Sequence, residues 1–223
     1  MINPLNICSN IKEEYLLYLL SSFPIKHKEI RNIFKKKIID SVDQPFFNGP
    51  ILTTTPSYQK GQSLKDLSKN NIVHAKMLVK AFSPERSLYS HQEESILKLS
   101  EKNNVVLATG TGSGKTESFL FPIIDHLIHE IENKTHHNEV YALILYPMNA
   151  LVNDQLKRIR EYLADFPEIT FGRYIGETES KYRDALAKHR DRYNQDPLLN
   201  ELISRDQMKE TPPNILITNY SML

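Results

Sequence analysis

Cysteine is almost absent from this chain of 223 residues, its apolar runs are short, and neither sign of charge dominates. The single Cys8 excludes a disulfide scaffold and any cysteine-based zinc finger. No apolar run comes near the roughly 18 residues that a spanning helix needs, so no membrane partner is expected. Residues 1–8 lack a basic segment leading into a long apolar one; no secretion signal is expected, and the location expected is cytoplasmic. Lys and Arg number 28 against 27 Asp and Glu, and 40% of residues are hydrophobic. That composition excludes a disordered polyelectrolyte and leaves enough apolar material for one domain plus an appendage, or two small domains.

The even balance hides an asymmetry. Residues 1–85 hold 12 basic and 7 acidic side chains, whereas residues 86–223 hold 16 and 20. A mildly basic front fits a nucleic-acid or partner surface, and it fits solvated lysines on helix faces equally well. In that front section, residues 13–20 and 25–42 read as helices, 44–64 as a connector rich in Pro and Gly, and 74–82 as a short helix. From about Leu88 strands and helices alternate. Strands are expected at 104–109, 141–146, 170–175 and 215–218, and helices at 117–131, 150–163 and 181–193. Near-continuous apolar strands separated by helices imply an α/β fold with a parallel sheet covered on both faces.

The most specific signal follows the first expected strand. Thr109, Gly110, Thr111, Gly112, Ser113, Gly114, Lys115 and Thr116 form a glycine-rich turn that opens a helix at Glu117. Glycines let the backbone curl so that successive N–H groups point at phosphate oxygens, and the helix N-terminus adds its partial positive charge. Lys115 would reach the terminal phosphates and the Thr116 hydroxyl would coordinate magnesium, which makes these two the expected catalytic pair and Thr116 the metal ligand. One departure stands out: the strict spacing places glycine where this chain has Thr109.

The surrounding words extend the argument. Leu88-Tyr89-Ser90-His91-Gln92 lies ahead of the loop, Tyr146-Pro147-Met148-Asn149-Ala150-Leu151-Val152-Asn153-Asp154-Gln155 follows the second strand, and Ile215 to Leu223 reads ILITNYSML. In this order the words resemble the glutamine motif, motif I, motif Ia and motif Ib of superfamily 2 DEAD/DEAH-type helicases. They are most similar to those of large bacterial helicases of the DNA-repair and phage-defence type. The resemblance covers 88–223 and implies an incomplete RecA-like P-loop domain over 86–223, preceded by a helical accessory section and connector over 1–85. It implies ATP and Mg2+ as cofactors, with Gln92 reading adenine, Tyr89 stacking nearby and the residues from Thr109 to Glu117 facing the nucleotide. It also implies DNA as partner, single-stranded or duplex, with RNA left open, together with protein partners of a defence or repair system. Contacts to the nucleic-acid backbone would come from Pro147, Asn149, Ala150, Gln155, Thr178, Thr218 and Asn219. No D-E-x-H or D-E-x-D motif follows, so the chain reads as the front part of a motor that binds ATP and hydrolyses little. The basic residues of 181–193 alternate with Asp184 and Asp191 and read as a solvated face, and the histidines between 126 and 137 lack the partners of a metal site.

Overall fold

The computed structural model describes residues 3–40 and 57–222, which fall into two compact units, Met1–Ser57 and Tyr58–Leu223. In the first unit, α1 (Pro4–Ser22) begins where the Asn3 side chain accepts the Leu5 N–H at 3.0 Å. Pro4 sits at the first helical position, where a missing N–H leaves no bond unmade. The expected 13–20 helix is thus the second half of a longer one. Helix α2 (Lys28–Asp40) fills most of 25–42, while Val42 and the connector residues 44–56 lie outside the described residues.

The second unit starts with β1 (Lys60–Ser63) and α3 (Leu64–Lys69), whose start is closed by a reciprocal Ser63–Asp66 capping box. The helix expected at 74–82 is instead two single 3-10 turns, Ala75–Met77 and Lys80–Phe82, separated by the extended Val79. Met77 and Phe82 are both buried, yet on one α-helix they would point about 140° apart. Breaking the helix lets both face the core. The sequence division at 85/86 and the contact division at 57/58 differ for a related reason. Leu64, Leu67, Val73, Met77 and Phe82 belong to the same apolar cluster as Leu120, Ile124 and Ile159.

Strand β2 (Ser87–Tyr89) pairs antiparallel with β1 and leads directly into α4 (Ser90–Ser100). Helix α5 (Lys115–Glu132) carries Pro122, which cannot donate to the carbonyl of Ser118. The Ser95 hydroxyl of α4 takes that carbonyl at 2.8 Å and ties the two helices together. The strand expected at 104–109 does not form: these residues join no ladder among the described residues, and Val106 is 95% exposed. A β-branched run states a preference, but a strand exists only when a neighbour supplies its hydrogen bonds.

The remaining elements build the sheet. They are β3 (Ala142–Tyr146), α6 (Asn149–Leu163), β4 (Phe171–Tyr174), α7 (Tyr182–Tyr193), β5 (Glu201–Leu202), α8 (Arg205–Glu210) and β6 (Ile215–Asn219). The order is β3-β6-β4-β5, with every pair parallel and Tyr146 in register with Asn219. This is the expected α/β class, a parallel sheet flanked by helices and preceded by a helical region. Ile144, Ile215 and Ile217 are buried, whereas Leu143 and Leu145, which alternate with Ile144, are each 47% exposed. The face they share is therefore less covered than the sequence led us to expect.

The edge strand is pinned by charge. Arg160 of α6 donates from Nε to both carboxylate oxygens of Glu201 at 2.9 Å and from Nη2 to Oε1 at 2.6 Å. The same Nη2 lies 2.6 Å from His189 Nε2. A guanidinium has no acceptor, so Nε2 accepts and Nδ1 carries the proton, donating to Gln195 O at 3.0 Å. All three side chains are buried, and the guanidinium lies over the Tyr193 ring at 3.9 Å.

Candidate nucleotide and nucleic-acid site

The glycine-rich turn joins the extended 104–109 segment to α5. Gly112 and Gly114 have φ of 77° and 73°, a region that side chains with a Cβ avoid, and Gly114 is the residue preceding the first turn of α5. A Cβ at Gly114 would also come within 2.4 Å of Gln92 Nε2, so both backbone and space require glycine there. Thr109 and Ser113 hydroxyls meet at 2.7 Å across the turn. Lys115 folds back, its Nζ donating to the carbonyls of Thr109 and Gly110 at 2.6 Å each. Thr111 is exposed at the tip.

Helix α4 braces this loop. Gln92 is 1% exposed; its Oε1 accepts the Tyr89 N–H at 2.8 Å and its Nε2 donates to Gly114 O at 2.9 Å. His91 Nε2 donates to Ser113 O at 2.8 Å. Beside them Tyr58, Tyr89 and His91 form an aromatic cluster with ring centroids 5.3 to 5.6 Å apart. A Cβ at Gly110 would lie 2.8 Å from the Tyr58 hydroxyl, which places Tyr58 at the loop. The sequence placed Tyr58 in the connector, where Pro56-Ser57-Tyr58 and Gly61 resemble the lead-in of such helicases, and assigned it no role at the loop.

The α5 residues after the lysine face α6. The Thr116 hydroxyl donates to Gln155 Oε1 at 3.0 Å. Glu117, expected to face the cofactor, is buried against α6, where its Oε1 accepts from the Tyr162 hydroxyl at 3.1 Å and pairs with Arg158 Nη2 at 3.2 Å. Burial, reinforced by the Glu117 carboxylate, pushes the Tyr162 phenol up to about 12.

The residues expected at nucleic acid gather at the carboxyl end of the parallel strands, where loops of open α/β sheets present ligand contacts. Pro147 and Ala150 are exposed there. Asn219 Nδ2 donates to Asn149 Oδ1 at 2.6 Å, joining the end of β6 to the start of α6. Asn149 reaches Glu177 Oε1 at 3.4 Å. Asn149 is the first residue of α6, and Met148 occupies the cap without a side-chain bond. The Thr178 hydroxyl is buried in the turn after β4, donating to Arg173 O at 2.9 Å and accepting from Ile175 N at 3.0 Å. The Thr218 hydroxyl donates to Tyr174 O, and Gln155 points at Thr116. The structure thus brings Pro147, Asn149, Ala150 and Asn219 to one edge, engages Thr178 and Thr218 inside it, and sends Gln155 to the phosphate loop.

Residues 89–216 match the family model described as DEAD/DEAH box helicase. The chain belongs to the DEAD/DEAH box helicase family. Membership makes it an ATP- and nucleic-acid-binding module of superfamily 2, with the ATP and Mg2+ binding typical of that superfamily. The Druantia protein DruE of Escherichia coli (strain UMEA 4076-1) is 28% identical over 216 residues, 88% of this chain and 12% of the relative. The ATP-dependent helicase HRQ1 of Saccharomyces cerevisiae is 29% identical over 106 residues, 46% of this chain and 9% of the relative. The chain therefore spans about an eighth or less of the length of these two helicase relatives. The DEAD-box helicase Mss116, solved with single-stranded RNA and UDP-BeF, superposes with a TM-score of 0.52 at 22% identity. That superposition covers 74% of this chain and 30% of the solved one, and shows a shared fold. No helix among the described residues is long and apolar enough to cross a membrane.

Proposed function

We propose that this chain is the ATP-binding front part of an ATP-dependent DNA helicase or translocase serving phage defence or DNA repair. The observation that carries the reading is the loop from Thr109 to Thr116, held open-sided by two left-handed glycines and braced from behind by Gln92 and His91. The residues fit a magnesium-bound triphosphate. Backbone N–H groups of the turn and the first turn of α5 offer donors to phosphate oxygens, Lys115 brings a mobile cation, and the Thr116 hydroxyl brings an oxygen ligand. The bound nucleotide supplies the free energy of its terminal phosphoanhydride.

The division of labour follows from position. Lys115 exchanges its two loop carbonyls for phosphate oxygens, and Thr116 holds the metal. Tyr89 and Tyr58 present aromatic faces beside the loop for a base to stack on. Gln92 keeps the turn in shape through Gly114; to read adenine, its buried amide would exchange the Tyr89 N–H and Gly114 carbonyl for the base edge. Pro147, Asn149, Ala150 and Asn219, with Thr178 and Thr218 behind them, shape the strand-end surface that meets the sugar–phosphate backbone. The choice of DNA, and of defence or repair, rests on the resemblance of the four sequence words to large bacterial helicases. With no D-E-x-H or D-E-x-D motif in its sequence, the chain is expected to bind ATP and to hydrolyse it little by itself.

Titration of the chain with a fluorescent ATP analogue in magnesium tests this reading. Saturable binding that falls at least about tenfold in Lys115→Ala supports it, a loss of about 1.4 kcal/mol from a charge-assisted phosphate contact. Binding that ignores the substitution refutes it. Parallel titration with DNA and RNA oligonucleotides of one sequence decides the nucleic-acid preference.

A further inference from the structure

We propose that Gln155 is a positioning residue for the magnesium ion, acting by holding the proton of the Thr116 hydroxyl; the proposal rests on the nucleotide-binding reading above. The sequence motif places Gln155 on the nucleic-acid backbone. Its amide oxygen instead receives the Thr116 hydroxyl at 3.0 Å.

A threonine hydroxyl carries one proton and two lone pairs. With the proton given to Gln155, both lone pairs stay free for a cation on the opposite side. Without that acceptor the hydroxyl is free to turn about its C–O bond, and the lone pairs turn with it. Magnesium tolerates little deviation from octahedral geometry, so the orientation of a single hydroxyl ligand is felt directly in metal affinity. Because the amide is neutral, Gln155 fixes the hydroxyl without adding charge beside the metal.

The amide is not free to drift. Gln155, Arg158 and Tyr162 are three and four residues apart and share one face of α6. Arg158 and Tyr162 both grip Glu117, the residue after Thr116, at 3.2 and 3.1 Å. On the core side of the helix, Val152, Leu156, Ile159 and Leu163 are buried. Three contacts therefore fasten α6 to the first turn of α5, and the same helix begins at the strand-end surface with Asn149. The metal ligand and the expected nucleic-acid surface share one rigid element.

The test is a magnesium titration of fluorescent ATP-analogue binding to the full chain. Gln155→Met keeps length and removes the acceptor; Gln155→Glu keeps an acceptor that cannot donate. The magnesium concentration for half-maximal binding should rise about fivefold in Gln155→Met, the scale of one neutral hydrogen bond. Gln155→Glu should stay at or below the wild-type concentration, and binding of the analogue in chelator should be the same in all three. Gln155→Ala gives a second readout if the methionine packs badly, with thermal melting confirming that each variant is folded. An unmoved magnesium curve together with weakened binding of a single-stranded oligonucleotide overturns the proposal and returns Gln155 to the nucleic-acid backbone. Absence of magnesium-dependent binding in the wild type overturns the parent reading, and the proposal with it.

Discussion

Removing the Glu201 carboxylate tests how the far edge of the sheet is held. Strand β5 has only two residues and one neighbour, β4, so two backbone registers cannot hold it alone. Its attachment comes from Glu201, whose side chain is 3% exposed and accepts three short bonds from Arg160, itself 9% exposed. Glu201→Ala leaves the guanidinium buried with His189 Nε2 and the Tyr193 ring as its remaining partners. An uncompensated buried charge costs about 3–5 kcal/mol. For a unit of this size, with a urea m-value of about 2 kcal/mol/M, the unfolding midpoint should fall by roughly 2 M. Replacing both partners with apolar side chains, Arg160→Met with Glu201→Leu, removes the stranded charge and should recover much of that loss. Urea titrations followed by circular dichroism on the wild type and the two variants make the comparison. Should Glu201→Ala lose less than about 1 kcal/mol, as exposed pairs do, or should the double variant be no better than the single, the argument for a buried electrostatic anchor fails.

Two further substitutions probe buried polar groups. The Tyr146 hydroxyl is buried without a hydrogen-bond partner, and burial pushes its phenol from 10 up to about 12. Tyr146→Phe should leave thermal stability equal or raised by up to about 1 kcal/mol, and should delete one of two late-ionising phenols in an ultraviolet pH titration. The sign for the wild type is set by the folded pKa lying above the unfolded one. Stability should therefore decline as pH climbs from 10 towards about 12. Burial also raises the Asp125 carboxyl, against the opposing pull of the His74 N–H bonded at 2.6 Å and the nearby histidines. Its ionised form is disfavoured on folding, so stability should drop as pH rises through the Asp125 titration. Asp125→Asn, which keeps the acceptor, should melt higher than wild type at neutral pH and equal to it below the unfolded carboxylate value; a lower melting temperature at neutral pH would reverse the sign of this argument.

What the sequence disclosed was what is local. The phosphate loop, α5, β3, α6, β4, α7 and β6 each carry their own signal in glycine placement or apolar spacing, and appear within a few residues of expectation. What escaped depends on partners distant in the chain. Strand β5 exists because Glu201 meets Phe171, and its anchor Arg160 lies 41 residues away. The 104–109 run has strand composition and no ladder neighbour, so composition alone misreads it. Residues 74–82 have helical propensity, yet Met77 and Phe82 must both enter one core. Among the residues expected at the site, Gln92, Lys115 and Thr116 come from motifs that fix their spacing. Tyr58 approaches Gly110 from outside any motif, and the direction of the Gln155 amide is set by how α6 packs on α5.

The back-folded Lys115 changes what kind of event ligand capture is. With its ammonium already seated on the Thr109 and Gly110 carbonyls, the loop is internally satisfied, and arrival of an anion is a swap of acceptors, not an addition of contacts. Net affinity then reflects the difference between phosphate oxygens and peptide oxygens as hosts for one ammonium. A lone small anion offers little to tip that contest, whereas a polyphosphate presents several oxygens to the lysine and the turn at once. On the proposed reading, the loop would discriminate by the number of oxygens on offer before any base or sugar is read.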